Sequence, residues 1–207
     1  MMNLSAEEEA ASLLDEPKLN VPLPFSFRWH NALDVLEIIV SIVVIYTLVN
    51  LLSMRYIVHG SSMDPTFQEG QFLIVSRFHF WFEEPERGDV VVFHAPANPA
   101  EDYIKRVIGI AGDRIEFRDQ QLFINGERID EPYITEACSR FSCPDRVWEE
   151  IPEDAYFVLG DNRNSSVDSR RPNVGFVRRD LLIGKVLFRY WPLREIQLIG
   201  RSFFPTP

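Results

Sequence analysis

The chain has 207 residues and sets 31 acidic side chains against 21 Lys and Arg, a formal charge of −10 with a pI near 4.9. That balance argues against a nucleic-acid partner, whose binding rests on Lys and Arg neutralising phosphates, and 46 % hydrophobic residues exclude wholesale disorder. Two Cys and four scattered His cannot build a structural zinc site of the usual spacing, so neither metal nor cofactor is expected, and eighteen Arg accompany only three lysines, Lys18, Lys105 and Lys185.

Residues 1–31 read as a flexible acidic tail, with Glu7, Glu8, Glu9, Asp15 and Glu16 followed by Pro17, Pro22 and Pro24. A long apolar run follows. Ile38 to Met54 is 17 consecutive uncharged residues, about 25 Å of helix, and with Ala32–Leu36 it reaches the ~30 Å core of a bilayer. A helix apolar on all sides needs more protein around it than a domain of about 150 residues supplies. Residues 32–54 are therefore expected to form a single transmembrane helix, with Trp29 and Tyr56 at the interfaces. The acidic leader and the lack of a small-x-small site after the run argue against a cleaved signal peptide. Lys18 and Arg28 before the span, against Arg55 after it, lean toward a cytoplasmic N-terminus.

From residue 55 onward the pattern changes to short runs rich in β-branched and aromatic residues: Phe72–Val75, Val90–Phe93, Ile115–Phe117, Leu122–Ile124, Tyr156–Leu159 and Val186–Tyr190. Glu69-Gly70, Arg87-Gly88-Asp89, Ala111-Gly112-Asp113 and Asn125-Gly126 punctuate them, the last being a strong hairpin signal. Helical periodicity is almost absent here. The fold expected is mainly β, an antiparallel sheet domain over 55–207 behind one membrane helix.

Three polar, irregular stretches carry candidate chemistry. His59-Gly-Ser-Ser-Met-Asp-Pro-Thr66 follows the apolar run closely; its serines could be ordinary turn residues, or one could be a nucleophile with backbone N–H groups beside it for an oxyanion. In Asp102-Tyr-Ile-Lys-Arg-Val-Ile-Gly109, alternation puts Tyr103, Lys105 and Val107 on one face. An apolar setting disfavours the ammonium, and lowering a lysine from about 10.4 to about 7 costs roughly 4.6 kcal/mol, so an ordinary core would not retain it. The other reading is a plain exposed strand lysine. Lys18 lies in the tail, and Lys185, after a Gly at the start of a strand, is expected to be solvated. Gly160-Asp-Asn-Arg-Asn-Ser-Ser-Val-Asp-Ser-Arg170 has one apolar member among eleven residues. It is either solvated surface or a hydrogen-bonded scaffold, with Asp161 and Asp168 paired to Arg163 and Arg170.

Together the stretches resemble the type I signal peptidases, membrane-anchored Ser–Lys proteases that remove signal peptides from exported proteins. Ser62-Met-Asp-Pro-Thr66 resembles the nucleophile motif, Lys105-Arg-Val-Ile-Gly109 the general-base motif, and Gly160 to Arg170 the third box at every fixed position. Gly88-Asp-Val-Val-Val-Phe93 resembles the strand between the first two. The four occur in the family's order, and the similarity covers roughly residues 35–200.

The resemblance implies that Ser62 is the nucleophile and Lys105 its base, with Ser166 orienting the lysine and Asp161, Arg163, Asp168 and Arg170 forming a supporting ionic network that Arg106 joins. The Ser62 N–H is implied as an oxyanion donor; Gly60 stands where some members carry a second hydroxyl. Val58, Met63, Tyr103 and Ile104 match positions lining shallow apolar pockets for Ala-x-Ala substrates, which bind as an added strand. Residues 114–155 resemble a shortened form of the family's inserted β sub-domain. Within them Cys138 and Cys143 are either a loop-pinning disulfide, as in part of the family, or free thiols. The aromatic cluster Phe78-His-Phe-Trp-Phe82 reads as an apolar surface at the bilayer interface, its alternative being ordinary core.

The implied protein is a single-pass enzyme of the cytoplasmic membrane with its catalytic domain on the outer face, acting on signal-peptide-bearing precursors and in contact with lipid. Three rivals stand beside it. A Ser–His–Asp protease needs a His aligned by a carboxylate, and the sequence shows no such pair near His59 or His94. The self-cleaving SOS repressors share the Ser–Lys pair, but carry a DNA-binding unit where this chain has an apolar span. A membrane-tethered binding domain would have no use for an intact nucleophile and base.

Overall fold

The computed structural model describes residues 32–200; the tail 1–31, with Trp29, Lys18 and Arg28, lies outside the described residues. The chain divides into two units, Met1–Val44 and Ile45–Pro207. Helix α1, Ala32–Leu52, begins in the first and ends in the second.

No Gly or Pro interrupts α1, and the window Asp34–Leu51 has a mean hydropathy of 2.1 with none of it buried, long and apolar enough to cross a membrane. Near its end Asn50 Nδ2 donates to the Tyr46 carbonyl at 2.7 Å, and Ser53 Oγ, just beyond it, to the Val49 carbonyl at 2.7 Å. The helix stops at Leu52, two residues short of the expected end at 54. Ser53 and Met54 pair instead with Ser76 and Val75, and the main-chain ladder of a sheet takes them from the helix.

All described strands lie in the second unit, and every described pairing is antiparallel, as expected for a mainly β domain. The larger sheet runs β1 (Ser53–Ile57), β2 (Phe72–Ser76), β11 (Leu182–Trp191), β3 (Val90–Ala95), β4 (Asn98–Gly109), β9 (Ala155–Leu159) and β10 (Val177–Arg178), with β12 (Gln197–Leu198) on β11. The smaller sheet orders β7 (Glu127–Arg128), β6 (Gln121–Ile124), β5 (Ile115–Arg118) and β8 (Arg146–Trp148). Asn125 and Gly126 turn β6 into β7 with φ of 53° and 86°, the two positive values of a type I′ turn.

The larger sheet buries both faces of its middle. Val90 and Val92 join one core with Leu73, Val75 and Phe67, while Val91 and Phe93 join another with Val107 and Val158. This is why Val90–Phe93 of β3 reads as an unbroken apolar run instead of an alternation. A third core, with Ile115, Phe117, Leu122, Ile151 and Phe157, lies under the smaller sheet.

Within the aromatic cluster Phe80 is core, whereas Trp81 and Phe82, at and just after the end of the 3-10 turn His79–Trp81, are 74 % and 71 % exposed.

Candidate active site

Three segments converge at one end of the larger sheet. The loop between β1 and β2 carries Ser62, the middle of β4 carries Lys105, and the loop after β9 carries 160–170. Pairing fixes Lys105 opposite Val91 in β3, and the side chain is 4 % exposed, between buried neighbours. Its Nζ lies 2.8 Å from Ser62 Oγ and 2.9 Å from the Ile104 carbonyl oxygen, with the Tyr103 ring centroid 5.3 Å away. Burial holds the ammonium down, to about 8, against the upward pull of the Asp168 and Asp161 carboxylates. A lysine with that value is neutral often enough near physiological pH to accept a proton.

Asp161 joins all three motifs. Its oxygens accept Arg106 Nε at 2.8 Å and Nη2 at 2.5 Å, and Thr66 Oγ1 donates to it at 2.6 Å. Arg106 and Asp161 are both buried, so each meets the charge that the other's desolvation requires. The neighbouring Asn162 holds the nucleophile loop, its N–H donating to the Ser62 carbonyl and its Nδ2 to the Ser61 carbonyl, both at 3.1 Å. Gly160 is needed for this closeness: a Cβ there would run into the Ser62 carbonyl oxygen and Ser166 Oγ. Gly60, at φ +77°, turns the chain into the loop, so the residue two before Ser62 offers no side-chain hydroxyl.

The expected pairing of Asp161 with Arg163 does not occur. Arg163 turns to the 114–155 segment, where its Nη1 and Nη2 both donate at 2.6 Å to Glu131, with the Tyr133 hydroxyl at 3.3 Å. The second expected pair is present: Arg170 Nε and Nη2 donate to Asp168 at 2.8 and 2.7 Å. Burial alone pushes the Asp168 carboxyl up, and Arg170 with the Gly160 N–H more than reverses it. Ser166 lies against Gly160, and no hydrogen bond from its Oγ reaches Lys105 to orient the lysine here. Lys185 is not solvated as expected. It is 8 % exposed and 2.7 Å from Asp89 Oδ1, a carboxylate that arrives from the turn before β3.

A groove of about 340 Å³ runs along Ser62 and Lys105, with Val58, Met63, Tyr103 and Ile104 all in its wall. Ile57 and Val167, at its rim, add exposed apolar surface that no motif marks. β4 pairs with β3 over Asn98–Arg106 but with β9 only from Arg106 onward, so along Asp102–Lys105 no described strand pairs with its second edge. A His–carboxylate pair does exist, contrary to expectation: His94 Nδ1 lies 2.8 Å from Asp102. It sits three residues from Lys105 along β4, about 10 Å by strand rise, and His94 is not among the groove's walls. Cys138 and Cys143 are joined as a disulfide.

Thr66, Asn162, Glu131 and Tyr133 are site residues that sequence reasoning misses. Thr66 and Asn162 stand inside the quoted motifs, whose tight spacing is a signal for both. Glu131 and Tyr133 stand in no motif, and only the tertiary fold reveals them.

Comparison with known proteins finds the following likenesses. Residues 32–191 match the family model described as signal peptidase, peptidase S26. Signal peptidase I of Bacillus caldolyticus is 41 % identical over 166 residues, 75 % of this chain and 89 % of that one, and signal peptidase IB of Staphylococcus aureus strain Mu50 is 36 % identical over 177 residues, 79 % and 91 %. A crystal structure of a signal peptidase I from Enterococcus faecalis V583 aligns with a TM-score of 0.43 at 33 % identity, over 50 % of this chain and 97 % of that one.

Proposed function

The chain belongs to the signal peptidase family of S26 peptidases, and from that premise we propose that it is a membrane-anchored serine endopeptidase releasing exported proteins from their signal peptides with a Ser62–Lys105 dyad. The observation that carries this reading is the 2.8 Å contact between Ser62 Oγ and a buried Lys105 Nζ. The neutral amine accepts the hydroxyl proton as Oγ bonds to the scissile carbonyl carbon, giving a tetrahedral oxyanion. The Ser62 N–H, which donates no hydrogen bond among the described residues, is available to that oxyanion. On collapse the C–N bond breaks, the Lys105 ammonium protonates the leaving amine, and an ester on Ser62 remains. Water, deprotonated by the same lysine, then hydrolyses the ester and restores the serine.

The open edge of β4 over Asp102–Lys105 suits an extended substrate added as a strand, and the apolar wall of Val58, Met63, Tyr103 and Ile104 suits small side chains, as in Ala-x-Ala. In this reading residues 1–31 are a cytoplasmic tail, α1 is the single membrane span, and 55–207 is the catalytic domain on the outer face of the cytoplasmic membrane, with 114–155 as an inserted sub-domain. Exposed Trp81 and Phe82 are suited to lipid contact. The test is cleavage of a labelled Ala-x-Ala precursor by detergent-solubilised protein. Ser62→Ala and Lys105→Ala each lose at least about a hundredfold in turnover, while replacing His59, His79 and His94 together leaves turnover in place. Near-normal turnover by Lys105→Ala sinks the dyad.

A further inference from the structure

The loop closed by Cys138–Cys143 lies against the 160–170 segment, and its contacts there are specific. The Ser139 N–H donates to Asn164 Oδ1 at 2.8 Å, and Asn164 Nδ2 donates to the Ala137 carbonyl at 3.2 Å. Arg170 Nη1 points into the loop, donating to the Ser142 carbonyl at 3.0 Å and lying 3.2 Å from Cys143 Sγ and 3.8 Å from Cys138 Sγ. It also donates to the Arg163 carbonyl at 2.8 Å. The other edge of the same guanidinium grips Asp168, whose second oxygen accepts the Gly160 N–H at 3.1 Å. Arg170 is thus held from both sides, by a carboxylate toward the dyad and by the cross-linked loop away from it.

We propose that the Cys138–Cys143 loop is a positioning element for the base: by offering the Ser142 carbonyl and the disulfide sulfurs to Arg170 it keeps the guanidinium on Asp168, and so fixes the charge that Lys105 meets. This rests on Lys105 being the base. The charged groups acting on Lys105 are Asp168 and Asp161, which favour its ammonium, and Arg170, which opposes it; the Tyr103 ring covers it from its own strand. Arg106, next in β4, is taken up by Asp161. When the loop opens, Arg170 loses the loop's acceptors, keeps only the Arg163 carbonyl on that side, and leaves Asp168 part of the time. Asp168 then acts on Lys105 uncompensated and the repulsion from Arg170 fades, and both changes raise the lysine's affinity for its proton. The cross-link therefore acts on the reaction at a distance, through the guanidinium and the carboxylate.

The experiment compares full-length protein in detergent as wild type, as Cys138→Ser/Cys143→Ser, and as wild type reduced by a trialkylphosphine, which takes oxygen from water to become its oxide while both sulfurs become thiols. The readouts are kcat and KM on an Ala-x-Ala peptide from pH 6.5 to 10, with a thermal melt of each sample. The loop-opened enzymes show the rise of kcat/KM with pH displaced upward by about half to one unit. Turnover at pH 7 falls roughly three- to tenfold and recovers above about pH 9.5, with KM unchanged. Reduction adds nothing to the double variant. An equal loss at every pH, or no loss, overturns the proposal; if the double variant does not fold, reduction of the folded wild type decides. Turnover by Lys105→Ala, measured alongside, would instead sink the dyad on which the coupling depends.

Discussion

Lys105 shows how much of one residue's role its sequence neighbours can carry. Three lysines make a short field, and alternation places this one among apolar neighbours, where it is found. Lys185 defeats the same reasoning because its partner Asp89 comes from a distant turn, and local sequence carries no sign of a buried ion pair. Lys105 also has a cost in stability. A shift from 10.5 to about 8 corresponds to about 3 kcal/mol against the folded state. Below pH 8 the lysine is protonated folded and unfolded, and the whole penalty stands. Between 8 and 10.5 the unfolded chain holds a proton that the folded one has released, so stability rises with pH; above 10.5 the penalty is gone. Lys105→Met removes the penalty but also two hydrogen bonds, at about 1 kcal/mol each. The variant is therefore expected to be about 1 kcal/mol more stable than wild type at pH 7, equal near pH 9, and about 2 kcal/mol less stable at pH 10.5. Chemical denaturation at the three pH values checks this, and a difference that does not change sign would show that the lysine carries no such penalty.

Among elements, legibility depends on whether an element announces itself locally. The β6–β7 hairpin does, through Asn125-Gly126. β1 does not, because Ser53 and Met54 continue the apolar run of α1 and only their pairing with β2 makes them strand. The first half of β4, Asn98–Asp102, is exposed and polar, so no alternation marks it; β3 defines it from across the ladder. The same limit gives Asp161 the wrong expected partner. Nearness in sequence suggests Arg163, whereas register brings Arg106 of β4 opposite Leu159, at the mouth of the loop that holds Asp161. Asp161→Asn should therefore be among the most damaging changes in the domain. It leaves the Arg106 guanidinium buried beside a neutral amide, at about 3–5 kcal/mol, and loosens Thr66 and the loop carrying Ser62 with it. Asp180→Asn, which breaks the exposed Arg178–Asp180 pair, is expected to leave the denaturation midpoint where it was. Equal effects from the two changes would mean that the Asp161 joint does not hold these loops together.

At the scale of the whole chain the −10 divides evenly between two very different segments. Residues 1–37 hold seven acids and two bases, and 55–207 hold 24 acids and 19 bases, each a net −5, with the uncharged run between them. That run is the plainest feature of the sequence, and the small domain behind it leaves little protein to surround it as a core helix. None of the window Asp34–Leu51 is covered by protein, and uncovered Ile, Val and Leu over that length are consistent with a membrane anchor. An Arg at the centre of a span costs about 2.5–3.5 kcal/mol on insertion scales, so Ile42→Arg with Val44→Arg should cost about 5–7 kcal/mol. Wild type is expected in the membrane pellet after alkaline carbonate extraction, and the double variant in the supernatant. Because Ser62, Lys105 and the groove are built from residues 56–167, the released variant should cleave a soluble Ala-x-Ala peptide at close to the wild-type rate. A core helix would respond in the opposite way: two arginines would unfold the domain and abolish cleavage, and wild type would already be extracted by carbonate.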